Sequence, residues 1–340
     1  MAKAATKTAK KIPFGLRLKA WWEGYDADEL ARRANLGQTS APAPERAPKP
    51  VETTEIVATP LQGETSNITE EGELPIDPWD QNRIDVAQLI WGRGFCGPGG
   101  PEYVVAMSKL LTLSPEMSMM HLGAGLGGPA RTLAEHFGVW VTGYESSPSL
   151  VAGGNQLSTM AGMAKKAALA LLDLTAEKPF ERKYDRLLAD NFISLVANKL
   201  DLLRRIEDSM KPDGLALFTE FFMSNDSVLM APEFRDWIAN EPSRIMPITH
   251  AEFLQQLTQS NYIVRVDDDI SEDYVHLIDK AWAGADKIVL DLYNQPGQAH
   301  LVGIVLKEAE LWSRRAQLIR KGLLSYRRIL AAKKDKHAGW

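Results

Sequence analysis

Residues 117–128, MSMMHLGAGLGG, decide how this chain is read. An apolar run ends at Leu122, and glycines follow at Gly123, Gly125, Gly127 and Gly128. A helical pattern, PARTLAEHF, comes next. A second apolar run, GVWVTGY, stops at Glu145, 22 residues beyond Gly123. The order is strand, glycine turn, helix, strand, acid. Glycine tolerates positive φ and lets a ligand approach the main chain. A helix opening at such a turn points free N–H groups into it. An acid about 20 residues further on matches a carboxylate that holds ribose hydroxyls. The spacing points to an adenosine-containing cofactor. It does not say which one. Gly123, Gly125 and Gly128 also satisfy the GxGxxG of nicotinamide-binding turns, and a tight turn without a ligand has the same local pattern.

Composition bounds the problem. The chain has 340 residues, 45% hydrophobic and 24% charged, enough for one large or two modest globular domains. A single cysteine, Cys96, excludes an intramolecular disulfide framework and a cysteine-cluster metal site. It fits a reducing compartment, so a cytoplasmic location is expected. No apolar run approaches the ~18 residues of a membrane span, and the N-terminus lacks the apolar core of a secretory signal. No histidine–carboxylate spacing predicts a metal site. Charge is uneven. Residues 1–20 carry six basic side chains and no acid, and residues 307–340 carry ten basic and three acidic ones. With a total of −5, the ends at +6 and +7 leave −18 on the body. An acidic body argues against a nucleic-acid groove.

Residues 38–78 read as a disordered linker, rich in Pro, Thr, Ser and Glu and without a sustained apolar period. Residues 1–37 form a basic segment with a short amphipathic stretch, in which Phe14, Leu16, Leu18, Trp21 and Trp22 stand beside Arg17 and Lys19. That pattern suits a membrane surface, a protein partner, or a helix packed on the body. The folded domain is expected over 79–340.

Within the domain, Asp80 caps a predicted helix to about Ile90, WGRGFCGPGGP is a glycine-rich loop, and Pro101 opens a second helix. Predicted elements then alternate: strand 117–122, helix 128–137, strand 139–144, helix 147–163, strands 167–172 and 184–189, helix 195–210, strand 214–222. Lys211–Gly214 marks a turn. Helices over 232–259, a strand in NYIVRVDDDI, helices over 271–293 and 298–321, and a closing strand in LLSYRRILA complete the pattern. Such alternation implies a parallel sheet with helices on both faces and ligands at the strands' carboxyl ends.

Taken together, these stretches resemble class I S-adenosylmethionine-dependent methyltransferases over residues ~80–332. HLGAGLGGPARTLA is similar to the family's glycine motif, VTGYESS to its second strand, ALLDLT to its third, YDRLLADNFISL to its fourth, and LRRIEDSMKPDGLALFTEFF to its helix, turn and fifth strand. The resemblance implies a Rossmann-like, doubly wound α/β sheet of seven mostly parallel strands, with an antiparallel last strand and a helical insertion after strand five. It implies S-adenosylmethionine as cofactor, held by His121, Gly123, Ala124, Gly125, Gly128, Glu145, Ser146, Asp173, Leu174 and Asp190. WGRGFCGPGG resembles a loop of small-molecule N-methyltransferases of the phosphoethanolamine and sarcosine type, which adds Trp91, Gly99 and Gly100. Two departures stand out. Ala87 occupies the place of a tyrosine in that subgroup, so its substrate is not carried over. His121 replaces an acid, and a neutral imidazole brings no negative charge.

By position at the ends of strands four and five, Asp190, Asn191 and Glu220 are the catalytic candidates, with His250 as a further base. The expected activity is in-line methyl transfer to a small-molecule acceptor. The alternatives are a catalytically degenerate scaffold or regulatory protein anchored through its basic N-terminus, and a nicotinamide oxidoreductase. Nucleic acid is not expected as a partner.

Overall fold

The computed structural model of the protein describes residues 77–180 and 182–334. The expectations for residues 1–37 and for the linker up to residue 76 lie outside the described residues. Asp77 and Pro78, expected on the linker side of the boundary, belong to the body. Asp77 Oδ2 accepts hydrogen bonds from Ser147 Oγ (2.8 Å) and Ser149 N (3.0 Å), and Asp77 Oδ1 accepts from Trp79 N (3.0 Å).

Seven strands form one sheet in the order β3-β2-β1-β4-β5-β7-β6. They are β1 (Ser118–Leu122), β2 (Trp140–Glu145), β3 (Ala167–Leu171), β4 (Tyr184–Asp190), β5 (Met210–Met223), β6 (Tyr262–Asp269) and β7 (Leu324–Lys333). The pairs among β1 to β5 are parallel, and β7 lies antiparallel between β5 and β6. The order reverses at β1, which has β2 on one side and β4 on the other. A crevice opens at such a switch point because the connections leave in opposite directions.

Ten helices surround the sheet among the described residues: α1 (Gln81–Trp91), α2 (Gly100–Ser108), α3 (Gly128–Phe137), α4 (Pro148–Met160), α5 (Lys199–Asp208), α6 (Pro232–Asn240), α7 (His250–Gln259), α8 (Ser271–Trp282), α9 (Ala285–Asn294) and α10 (Val302–Arg320). Their starts follow side-chain chemistry. Asp80, Ser147, Asn198 and Thr249 each accept from a backbone N–H of the first turn of α1, α4, α5 and α7. A cap of this kind contributes about 1 kcal/mol. Helix α5 starts at Lys199, later than its apolar pattern suggested, because a short 3₁₀ turn at Ile193–Leu195 comes first. The Lys211–Gly214 turn is absorbed into β5 as an irregularity, with Asp213 at φ 60°. The helical insertion expected after β5 is present as α6 and α7. A second one, α8 to α10, stands between β6 and β7.

Strand alternation sorts the side chains onto two faces. Met120, Leu122, Leu187, Ala189, Phe218 and Phe222 pack with Leu202, Leu203 and Ile206 of α5 and Phe253 and Leu257 of α7. The alternate residues, among them His121, Asp190 and Thr219, face the other way. Helix α10 is fastened to α1 by a buried ion pair, Arg83 Nε to Glu308 Oε1 at 2.6 Å. The Arg83 guanidinium also lies 3.9 Å from the Trp79 ring centroid.

The Asp77 contacts generate a test of the domain boundary. Replacing Asp77 with Ala removes the acceptor for Ser147 and Ser149 and should cost about 1 kcal/mol of stability in urea denaturation. An unchanged midpoint would put the boundary back at Trp79.

Candidate functional site

The crevice is built around the turn after β1. Gly123 has φ 74°, and a Cβ there would collide with the main-chain carbonyl of Asp190 at the end of β4. Gly123 N and Ala124 N both donate to Tyr144 O of β2, at 3.1 and 3.3 Å. The turn is thereby drawn between the two strands that flank β1. Gly128 opens α3, and its N–H donates to Gly94 O at 2.9 Å. A Cβ at Gly128 would strike that same carbonyl. The loop of residues 92–99 therefore lies over the glycine turn, held further by Gly94 N donating to Gln88 Oε1 at 3.0 Å.

Glu145 ends β2 beside this turn and is 9% exposed. Oε2 accepts from Gly125 N at 2.8 Å. Oε1 accepts from Ser146 N (2.7 Å), Ser146 Oγ (3.2 Å) and Ser147 N (3.2 Å). The acid and the glycine turn, 20 residues apart, form one unit. Asp173 and Leu174, just beyond β3, diverge. Asp173 is exposed and accepts from Thr175 N and Thr175 Oγ1, whereas Leu174 packs partly buried on the core.

His121 is fully buried, and neither ring nitrogen has a hydrogen-bond partner among the described residues. Burial lowers its pKa to about 4, so the ring is neutral at physiological pH. Two residues before Gly123, it presents an orphaned polar group beneath the turn. Trp91 ends α1, and Gly99 and Gly100 lead into α2. Trp91 packs edge-on against Trp312 (4.8 Å) and Trp282 (6.0 Å), tying α1 to α8 and α10. Gly99 precedes α2 with the Tyr103 ring against it, and Gly100 is the first residue of α2.

Asp190 and Asn191 lie together at the end of β4. Asp190 Oδ1 accepts from Thr219 Oγ1 (2.9 Å), Asn191 Nδ2 (2.9 Å) and Tyr326 Oη (3.3 Å). Burial raises the Asp190 pKa, and these three donors oppose the rise. Thr219 and Tyr326 escaped the sequence reading. Tyr326 is 135 residues from Asn191, and the alternation of LLSYRRILA marks it as inward-facing without naming what it faces.

Glu220 does not join this group. Thr219 reaches Asp190, so the pleat turns Glu220 to the opposite face, beside Phe218 and Phe222. There its carboxylate accepts from Ser194 N (3.0 Å), Ser194 Oγ (3.3 Å) and Phe221 N (2.9 Å). It fastens the 3₁₀ turn that follows β4. Burial raises its pKa to about 7 against those donors. His250 is on that side as well, its ring 5.8 Å from Phe222 and its Nε2 2.9 Å from Asp267 Oδ2.

No family model matches the chain. It is 26% identical over 151 residues to phosphoethanolamine N-methyltransferase 3 of Arabidopsis thaliana, covering 44% of this chain and 30% of that protein. It is 24% identical over 198 residues to phosphoethanolamine N-methyltransferase of Plasmodium falciparum, covering 58% of this chain and 72% of that one. Among solved structures it is similar to phosphoethanolamine N-methyltransferase 2 of Haemonchus contortus, in complex with phosphomonomethylethanolamine and S-adenosylhomocysteine. The TM-score is 0.64 at 18% identity, over 74% of this chain and 57% of that chain. The chain thus spans under a third of the plant relative and somewhat over half of the nematode one. Its fold is the class I methyltransferase fold, and its sequence is distantly related to the phosphoethanolamine N-methyltransferases.

Glu220 gives a pH prediction. Its folded-state pKa of about 7 lies above its ordinary 4.5, so the folded protein holds an extra proton between those values. The resulting stability is complete below the lower value and is lost as pH rises through the upper one. Between about pH 5 and pH 8 the wild type should therefore lose roughly 2–3 kcal/mol more than Glu220→Gln. Urea unfolding of both across that range measures this. Parallel curves would mean that Glu220 titrates normally.

Proposed function

We propose that the chain is an S-adenosylmethionine-dependent methyltransferase acting on a small-molecule acceptor. The observation that carries this reading is the convergence, on one side of the sheet, of a bare glycine turn, the Glu145 carboxylate and the Asp190–Asn191 pair. The residues fit the cofactor on three counts. Gly123 and Gly128 let the end of β4 and the upstream loop close in on the turn, with the Asp190 and Gly94 carbonyls standing where a Cβ would be. Glu145 holds a carboxylate at the turn. His121 keeps two ring nitrogens without protein partners. When bound, S-adenosylmethionine supplies an activated methyl group and its own leaving group.

The protein's part is alignment and exclusion of water. Gly123, Ala124, Gly125, Gly128, Glu145 and Ser146 would hold the nucleoside side, with Asp173 and Leu174 beyond the third strand. Asp190 and Asn191 would orient the acceptor. All three hydrogen bonds to the Asp190 carboxylate converge on Oδ1, which leaves Oδ2 for an acceptor's hydrogen. An amine must reach the methyl group as the free base and a hydroxyl needs its proton drawn away, so a carboxylate with a raised pKa suits either. Glu220 has no part in this step. No observation favours the scaffold reading.

A phosphoethanolamine-like acceptor is suggested by the relatives' names, and Ala87 argues against copying it unchanged. Cytoplasmic location is supported by the lone free thiol of Cys96. No helix among the described residues is long and apolar enough to cross a membrane. A protein or membrane contact through residues 1–37 rests on their sequence alone.

Two measurements test the function. Incubating purified protein with isotopically labelled methyl donor and a metabolite mixture, with phosphoethanolamine as a separate arm, should give a labelled small-molecule product. No product in any arm would contradict the activity. Glu145→Ala should weaken S-adenosylhomocysteine binding by roughly 1–3 kcal/mol in isothermal titration, through loss of a charged acceptor. Unchanged affinity in the folded variant would remove Glu145 from the site.

A further inference from the structure

We propose that Tyr326 is a positioning residue of the acceptor site: it locks the Asn191 amide so that Asn191 Oδ1 and Asp190 Oδ2 together select an acceptor that donates hydrogen bonds. The inference rests on the methyltransferase reading above and adds to it the hydrogen-bonding character of the acceptor.

The lock is a closed triangle. Asn191 Nδ2 donates to Asp190 Oδ1 at 2.9 Å and to Tyr326 Oη at 3.2 Å, and Tyr326 Oη donates to Asp190 Oδ1 at 3.3 Å. An amide nitrogen has two hydrogens, and both are committed. The amide cannot flip without breaking two hydrogen bonds. Its oxygen is left buried and without a protein partner. A buried acceptor left unmatched is costly, and a donating ligand would recover that cost.

The backbone supports a functional interpretation. Asn191 has φ 49°, a left-handed conformation uncommon outside glycine, and its N–H is held by Thr219 O at 2.9 Å. Non-glycine residues held this way concentrate at ligand sites. Tyr326 is itself rigid. Its ring stacks on Tyr274 of α8, with centroids 3.6 Å apart and planes 18° apart, and Phe221 lies 4.8 Å away. Its backbone N–H donates to Ser271 Oγ at 2.8 Å, and its carbonyl accepts from Ile270 N at 2.9 Å. Burial holds both phenols well above their ordinary pKa, so the Tyr326 hydroxyl keeps its proton. The second insertion, through Tyr274, thus steadies a tyrosine that steadies the end of β4.

The two oxygens left without a protein hydrogen bond, Asn191 Oδ1 and Asp190 Oδ2, are both acceptors. A group that offers only lone pairs finds no donor there, whereas an amine, neutral or protonated, has N–H bonds to offer both. The test uses full-length, ¹⁵N-labelled protein saturated with S-adenosylhomocysteine, following the Asn191 side-chain amide by NMR. Methylammonium chloride and tetramethylammonium chloride are the probes, alike in charge and different in N–H content. Methylammonium should shift the Asn191 signal saturably, and tetramethylammonium should bind about tenfold more weakly or not at all. Tyr326→Phe keeps the ring stack and loses the hydroxyl. It should weaken methylammonium binding about tenfold while leaving the affinity for S-adenosylhomocysteine unchanged. Should that variant lose its circular dichroism signature, Asn191→Leu is read in its place by the methylammonium-induced shifts of the Thr219 backbone amide, with the same loss expected. Equal binding of the two cations, no response to methylammonium, or full affinity in the folded variant overturns the proposal. Failure to saturate with S-adenosylhomocysteine would instead overturn the cofactor reading beneath it.

Discussion

The close approach of β1 and β4 at Gly123 is the constraint on which the site depends. The carbonyl of Asp190 stands where a side chain at position 123 would be. Only a residue without Cβ, at positive φ, lets the chain turn there and still pair with both neighbours. Because it does, the N–H groups of Gly123 and Ala124 reach Tyr144 O on one side, and Asp190 and Asn191 arrive on the other. A second contact of the same kind, Gly128 under the Gly94 carbonyl, brings the upstream loop down over the turn. The cradle is made of main chain, and side chains enter it from the strand ends.

Which side chains enter is decided by the pleat. Met120 and Leu122 go to the core shared with α5 and α7, so His121 goes to the crevice side. Phe218 and Phe222 take Glu220 with them, and Thr219 faces Asp190. Burial then sets the charges. His121 is kept neutral, and Asp190 is pushed toward its protonated form against three hydrogen bonds that favour the anion. The two insertions act differently. The first carries His250 to the far side of the sheet. The second closes on α1 through Trp91, Trp282, Trp312 and the Arg83–Glu308 pair, and its Tyr274 supports Tyr326.

Much of this was legible in the chain. The glycine spacing, the distance to Glu145 and the alternation of periods identified the sheet and its switch point, because these are local signals. Asp190 and Asn191 could be read from their place at a strand end. Glu220 could not be placed correctly, since a shift of one residue along a strand reverses the face and nothing in TEFF fixes the register. Tyr326 and Thr219 were missed for another reason. Their partners are far apart in sequence, and β7 meets β5 only after β6 and five helices have intervened. Asp77 was missed because an acid in a polar stretch looks like linker until its partners, Ser147 and Ser149, are brought beside it.

On this reading the main-chain cradle and Glu145 together hold an adenosine nucleoside. A crystal structure with S-adenosylhomocysteine tests it most directly. The ligand is expected in the crevice between β1 and β4, with its ribose hydroxyls on the Glu145 carboxylate and Gly123 against it. A ligand bound elsewhere, or a crevice left empty at saturating concentration, would contradict it.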